Sequence, residues 1–432
     1  MKFNPSNLVR SRQILFDITL RDLDVDEDRA TSVALTGWIT SDSLRIETIE
    51  VWCDGLVIAY GFVTMERPDV VAHFYPKLVK TECGFHMRFS KLLLGKDARL
   101  EIRAVSRNPD NLLSRHVLGD ITDLPRLSID WKITPQITPI LVVGMGRSGT
   151  SAFMETLSGH PEIIVPGKFP YELRQFSYLC QSAYILTSPS DYNRSTKPDE
   201  FEMSEATIGF NPFLNREWEK FYGSPRLTQW QDREFPEEFI NFIIGQIDKM
   251  TITCPVPPKP RARFIAEKFS ISPLRRVVEN LYPGRREIFL VRDFRDVYLS
   301  ARQMNAKRGT TGFGQSKFDT DLERLRGLSW SVRQMRLAYI ATEPRPLLIR
   351  YEDFVTDRGH CIDNILSYLG LREDLEFNEH LTLALSKDVN NSAHMTSKSV
   401  TDSIGRWKTE MTDEEKQISQ EAFGEELAYF GY

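Results

Sequence analysis

The stretch Gly144-Met145-Gly146-Arg147-Ser148-Gly149-Thr150-Ser151 carries the densest chemistry in this sequence. It follows the apolar run Pro139-Ile140-Leu141-Val142-Val143 and opens a helical stretch, the context in which a glycine-rich loop binds an anion. Gly144, Gly146 and Gly149 permit backbone angles that turn several amide N–H groups toward one point. The helix N-terminus adds partial positive charge, and Ser148, Thr150 and Ser151 add hydroxyls. Such a nest suits a phosphate or a sulfate. Three glycines, an arginine and three hydroxyls would be an odd choice for a bare strand–helix turn. Gly144 and Gly149 have the spacing of the nucleotide-triphosphate loop GxxxxGK[ST], but Thr150 stands where that loop has its lysine. With no obvious carboxylate-tipped strand to hold a metal either, a P-loop kinase is the disfavoured alternative.

The loop needs a rigid frame, and the pattern after residue 138 supplies one. Unbroken apolar runs predict strands buried on both faces of a parallel sheet at 139–143, 263–267, 287–292 and 346–350. Helical stretches near 151–158, 273–281, 297–304 and 361–369 alternate with them, which gives an α/β parallel sheet flanked by helices. The first third is different. Apolar residues alternate at Val33, Leu35 and Ile39, at Ile49, Val51 and Cys53, at Phe85, Met87 and Phe89, and at Leu100, Ile102 and Ala104. Period two over short runs predicts half-buried strands, and Asp54-Gly55 after Trp52-Cys53 predicts a hairpin turn. A small antiparallel β-sandwich at 1–124, a proline-marked linker at 125–138 and an α/β domain at 139–432 follow. Aromatics between 176 and 262 (Trp218, Phe221, Tyr222, Trp230, Phe235, Phe239, Phe242) are expected in a core.

The 432 residues are 41 % hydrophobic and 27 % charged, an ordinary globular balance. With 55 Lys+Arg against 60 Asp+Glu the formal charge is −5, so no global basic field points to nucleic acid or an anionic membrane. No apolar run approaches the roughly 18 residues of a transmembrane helix. The start lacks the apolar stretch of a secretory signal, and five cysteines are scattered singly without CxxC spacing. Reduced thiols in a cytoplasm are the expectation, with no metal site.

Arg147-Ser148-Gly149-Thr150-Ser151 resembles the 5′-phosphosulfate loop of the sulfotransferases that use 3′-phosphoadenosine 5′-phosphosulfate (PAPS), above all their bacterial and tyrosylprotein-type members. The stretch from Ile288 to Ser300 resembles a second motif of that family, in which a strand-end arginine and a serine eight residues later hold the 3′-phosphate; here these are Arg292 and Ser300. Three weaker likenesses keep the family's order: Ala266-Glu267-Lys268, Tyr351-Glu352-Asp353 at a strand end, and the late Gly405-Arg406-Trp407, which in the family folds over the nucleotide. The resemblance spans about 138–432. It implies a P-loop-type parallel sheet, PAPS as donor without a metal, and a hydroxyl-bearing acceptor. It places Gly146, Arg147, Ser148, Gly149, Thr150, Ser151, Arg292, Ser300, Tyr351 and Arg406 on the donor.

For catalysis it implies Arg147 at the leaving phosphate and Lys268 at the bridging oxygen. It also favours Glu172, set among Phe169, Pro170 and Tyr171, as the base. The family's cytosolic branch uses a histidine, so His160, His360, His380 and His394 stay open, with His160 expected to cap or pack. Residues 30–105 resemble a bacterial β-sandwich module that accompanies glycan-modifying enzymes, through Gly37-Trp38, Asp54-Gly55, Arg67-Pro68-Asp69-Val70 and Gly84-Phe85. That association alone prefers a glycan acceptor. A non-catalytic glycan- or nucleotide-binding protein is the rival from another class, and the oligomeric state is left open.

Overall fold

The apolar run at 139–143 becomes the middle strand, Thr138–Gly144, of a five-stranded parallel sheet in the computed structural model of the chain. Residues 2–5, 14–21, 31–41, 43–53, 55–74, 81–95, 98–107, 113–124, 127–188, 203–204, 207–208, 226, 229–255, 257–309, 320–372, 377–378, 396–397 and 399–432 are described. Asp54, Pro125, Trp218, Phe221, Tyr222, His380 and His394 lie outside them. Strand order in the sheet is Ile163–Ile164, Phe264–Phe269, Thr138–Gly144, Arg286–Val291, Leu347–Arg350. Ile140, Leu141, Val142 and Val143 are each wholly buried, as a strand covered on both faces requires. Because all five strands run the same way, their carboxyl ends share one edge, where open α/β sheets bind ligands. One expectation shifts: Lys268 lies inside its strand, in register with Val142, and not beyond the strand's tip.

Helix Thr150–Ser158 packs Phe153, Met154 and Leu157 onto Ile140, Val142, Ala266, Ile288 and Leu290 of the sheet. Phe354, from helix Tyr351–Thr356, and Ile362 and Ile365, from helix Arg358–Leu369, complete that core. Helix Phe294–Arg308 starts at Asp293, whose side chain accepts from the Arg295 amide. Helices Asp321–Ile340 and Asp413–Tyr429 each begin at a reciprocal capping box, Thr320/Glu323 and Thr412/Glu415.

The N-terminal strands form two antiparallel sheets. One has the order Lys2–Pro5, Leu113–Thr122, Leu100–Arg107, Arg45–Cys53, Leu56–Phe62; the other Ile14–Arg21, Ser32–Ser41, Glu82–Ser90, Met65–Glu66. All twelve residues of the predicted alternation enter one buried cluster with Ile14, Ile18, Leu118 and Ile121. The chain forms two compact units, Met1–Thr134 with Tyr178–Gln246 and Pro273–Pro283, and Pro135–Ser177 with Ile247–Ser272 and Gly284–Tyr432. Residues 130–137 are hydrogen-bonded to helix Phe235–Thr253: Asp130 and Lys132 amides donate to Glu237 and Asn241, and those of Gln136 and Ile137 to Asp248. The aromatics of that helix depart from expectation. Phe235 and Phe239 are half-buried and Phe242 is exposed, because Ile240, Ile243, Ile244 and Ile247 take the buried stripe.

Phe153 is wholly buried, with its ring centroid 5.3 Å from that of Phe354. Phe153→Ala should therefore cost about 3–5 kcal/mol, read as a lower urea midpoint with an unchanged slope.

Candidate active site

Four strand ends build the site. After Thr138–Gly144 the chain turns through Met145–Gly149 into helix Thr150–Ser158. Gly149 has φ +84° and caps the helix; a Cβ there would lie 2.3 Å from the Tyr351 ring, so glycine is required on two counts. At Gly144 a Cβ would meet the Thr150 methyl at 3.0 Å and the Leu290 carbonyl oxygen at 3.1 Å. Arg147 also adopts the left-handed region, at φ +74°. From there its Nε donates to Ser300 Oγ at 3.1 Å.

Arg292 follows the neighbouring strand, Arg286–Val291, and is 4 % exposed. Its Nη1 donates to the Arg147 carbonyl at 2.9 Å, its Nη2 donates to the Ser403 carbonyl, and its buried Nε meets no hydrogen-bond partner among the described residues. The guanidinium lies 4.7 Å from the centroid of the Tyr351 ring, whose hydroxyl is 3.0 Å from Ser403 Oγ. Burial, then the like charges of Arg292 and Arg308, push the Arg147 guanidinium down to about 10. A glycine-rich turn that sets Arg147 beside the buried Arg292, whose like charge disfavours the charged form of Arg147, suits an anion.

A late segment closes over these groups. Thr396 Oγ1 is 3.0 Å from Ser300 Oγ and accepts from Arg406 Nη1 at 3.4 Å. Arg406 is itself held by Glu410 through two bonds of 2.8 Å. Asp296, wholly buried on helix Phe294–Arg308, accepts the Gly405 amide at 2.7 Å and the Trp407 amide at 2.9 Å. The Arg295 guanidinium sits 3.4 Å from the Trp407 ring centroid and is gripped by Asp293 at 2.9 and 2.7 Å.

At the other side of the loop, Lys268 Nζ donates to Ser151 Oγ at 2.9 Å, to the Pro170 carbonyl at 2.5 Å and to Glu172 Oε1 at 2.7 Å. Burial lowers the Lys268 pKa, against the raising pull of Glu172. The Glu172 side chain is 56 % exposed, so the pair joins a desolvated cation to an open carboxylate. Its neighbour Tyr171, at φ +60°, is tied to helix Thr150–Ser158 by a hydroxyl that donates to Glu155. Gly146, Ser148 and Thr150 lie in the same turn and helix start. All the residues expected at the site thus meet on one edge of one sheet, in two clusters with the loop between them. His160 is not among them: it is buried, accepts the Glu162 amide, hydrogen-bonds the Arg372 carbonyl and packs edge-on against Phe377. His360 is exposed on its own helix.

A family model described as "Sulfotransferase family" matches residues 139–375, more than half of the chain and all of this sheet but Thr138. The chain belongs to the sulfotransferase family. Sulfuryl transfer is thereby the general chemistry of this sulfotransferase. Its fold is similar to the sulfotransferase domain from the curacin biosynthetic pathway, at 16 % identity and a TM-score of 0.38, covering 67 % of this chain and 98 % of that one. It is also similar to sulfotransferase STF9 from Mycobacterium avium, at 15 % identity, a TM-score of 0.36 and coverage of 69 % and 78 %. A third likeness is to mouse sulfotransferase SULT7A1 complexed with PAP, at 14 % identity, a TM-score of 0.37 and coverage of 67 % and 84 %. No curated protein matches.

Sequence reasoning missed the buried carboxylates that brace this edge of the sheet. Glu267 accepts the Phe176 and Ser177 amides and the Ser177 hydroxyl at 2.7, 3.0 and 2.7 Å, which fixes the chain just after Glu172. Glu352 accepts the Asp293 amide at 3.1 Å and the Tyr432 hydroxyl at 2.6 Å, steadying the turn that carries Arg292. Asp296 lies within the Ile288–Ser300 motif, where only Arg292 and Ser300 stood out. Among the described residues no group of three His, Cys, Asp or Glu could hold a metal, and no helix is long and apolar enough to cross a membrane. Four cysteines are buried and Cys254 is exposed.

Asp296→Asn leaves one acceptor oxygen for two amides and should cost about 1–3 kcal/mol. Burial raises the Asp296 pKa above its ordinary 3.8, against the pull of the Trp407 amide and Arg292. A raised folded value means that stability from this group is full below 3.8 and is lost as pH rises through the folded pKa. The deficit of the variant should therefore shrink with rising pH in urea titrations. A deficit that grows with pH would contradict this account.

Proposed function

We propose that this chain transfers a sulfuryl group from PAPS to a hydroxyl of an acceptor, a carbohydrate or glycoconjugate by preference. The observation that carries the reading is the pairing of two polar clusters across one anion loop: Arg292, Ser300, Tyr351 and Arg406 on one side, Lys268 and Glu172 on the other. The first suits a 3′-phosphate, since Arg292 has a buried nitrogen without a partner among the described residues and Ser300 a hydroxyl beside Arg147. The second suits the transfer itself.

Sulfuryl transfer resembles phosphoryl transfer in needing alignment and charge stabilisation more than covalent help. The bond from sulfur to the bridging oxygen breaks, its electron pair stays on that oxygen, and the acceptor oxygen forms the new bond to sulfur. Arg147 and the loop amides hold the leaving phosphate as an oxyanion hole would. Lys268, desolvated and in contact with Ser151, reaches the bridging oxygen. Glu172 takes the acceptor proton, and its exposure leaves it open to an incoming hydroxyl. Both ring nitrogens of His160 are engaged in the frame, which favours Glu172 over that histidine. In this reading residues 1–124 are an accessory module, 125–138 a connection and 139–432 the bacterial-type transferase. The single, scattered cysteines fit a cytoplasmic setting.

Adenosine 3′,5′-bisphosphate should raise the melting temperature and ATP with magnesium should do little. Arg292→Ala removes a charge-assisted contact of about 1.5–3 kcal/mol, roughly a 10- to 150-fold weaker Kd by titration calorimetry. Equal stabilisation by ATP would return the kinase alternative.

Glu172→Gln should lower turnover by about 10²–10⁴ with donor affinity nearly unchanged. Lys268→Met should also slow transfer, through the leaving group. An acceptor with a more acidic hydroxyl should rescue Glu172→Gln more than Lys268→Met, and unaltered turnover of Glu172→Gln where chemistry is rate-limiting would move the base elsewhere.

A further inference from the structure

The five-stranded antiparallel sheet turns Ile49, Val51, Cys53, Leu100, Ile102 and Ala104 into the buried cluster. Successive side chains of a strand point to opposite faces, so Glu50, Trp52, Glu101 and Arg103 stand on the outer face. There they come together across strands, since Trp52 is in register with Glu101, and Glu101 with Asp120. Trp52, Gly55, Arg99, Glu101, Arg103 and Asp120 line a cleft of about 440 Å³. That volume lies in the range of small-molecule sites.

Its polar groups are already ordered against one another. Arg103 Nε donates to Glu101 and Arg99 Nη2 to Asp120. Below them the Trp52 indole N–H donates to Glu50 at 2.8 Å, and Glu50 also takes two bonds from Arg115 at 2.9 and 3.1 Å. The Arg103 guanidinium lies 4.0 Å from the Trp52 ring centroid. One strand further on, Tyr60 pairs with Glu50, and Tyr60 and Phe62 remain exposed on the same face with their centroids 5.9 Å apart.

A solvated sheet face explains cross-strand ion pairs. It does not explain two exposed aromatic rings, Tyr60 and Phe62, on the same face, or a cleft walled by Trp52 where the ion pairs meet. We infer that this face binds a neutral saccharide. Each arginine–carboxylate pair presents an N–H donor next to a carboxylate oxygen, the complement of a hydroxyl, which both donates and accepts, and of a vicinal pair of hydroxyls above all. Tyr60 and Phe62 offer exposed ring surface to the C–H side of a sugar ring; Trp52, with Arg103 over its ring, walls the cleft, and Gly55 lines it without a side chain. Among the residues that line the cleft, two arginines (Arg99, Arg103) meet two carboxylates (Asp120, Glu101), so the cleft is neutral in sum and unsuited to a polyanion. Four charged residues among the six that line the cleft rule against a purely apolar ligand.

The site owes nothing to the transferase reading, and its test is separate. The full chain is applied to an array of neutral hexose and N-acetylhexosamine oligosaccharides printed beside sulfated and uronic acid-containing ones. Retention on one or more neutral oligosaccharides is expected, and titration with the best of them should show at least tenfold weaker binding for Trp52→Ala. Arg99→Ala, at a side chain 69 % exposed and so safe for folding, should weaken it about threefold to tenfold. Both variants should bind adenosine 3′,5′-bisphosphate as the parent chain does. The inference is overturned if the neutral oligosaccharides are not retained, if only anionic ones are, or if Arg99→Ala and a folded Trp52→Ala bind as the parent does.

Discussion

Arg292 donates from one nitrogen to the Arg147 carbonyl and from another to the Ser403 carbonyl, so a single buried guanidinium joins the anion loop, the strand beside it and the late covering segment. The rest of the site depends on that junction. A buried cation is costly unless its charge is met, and here two peptide carbonyls take two of its N–H groups and the Tyr351 ring lies 4.7 Å away. Those partners are dipoles and a quadrupole, not a formal negative charge on the guanidinium itself. The positive potential therefore persists around Arg147 and Ser300, where an anion would use it. Gly149 completes the geometry, because only a residue without a side chain lets Tyr351 close over the loop.

Much of the fold was legible because hydrophobic period reports directly on how many faces of a strand are covered. The unbroken run at 139–143 and the alternation at Val33, Leu35 and Ile39 gave different sheets for that reason. The loop was legible because its function needs particular backbone angles, and glycine spacing exposes them. The helix at 235–253 was misread where the aromatics suggested core: bulk was visible, but the phase of the isoleucine stripe decides which residues are buried.

The bracing carboxylates were not legible, and the reason is physical. Glu267, Asp296 and Glu352 each accept backbone amides, which carry no sequence signature at the donor end. Their partners lie 59 to 111 residues away, so no local pattern records the contact. Burial raises the pKa of all three, which marks them as frame elements whose hydration was given up for position. They orient the chain after Glu172, the Gly405–Trp407 segment and the turn before helix Phe294–Arg308.

The threonine at position 150 makes sense once the sheet register is known. Nucleotide-triphosphate loops carry their cation on the loop; here the Thr150 methyl instead sits where it would lie 3.0 Å from a Cβ on Gly144, packing the helix start against the end of the strand. The cation arrives from the adjacent strand. Lys268 is in register with Val142, two residues before that glycine, and its long side chain reaches Ser151 in the first turn of the helix. A lysine anchored in a strand has a fixed root and a buried stem, whereas one on the loop would move with it. Moving the charge from loop to strand also sets it beside Glu172, on the chain that follows strand Ile163–Ile164. One ammonium then contacts both the loop helix and an exposed carboxylate. An acid and a cation so joined at the mouth of an anion site suit a reaction in which a proton leaves one oxygen while negative charge gathers on another.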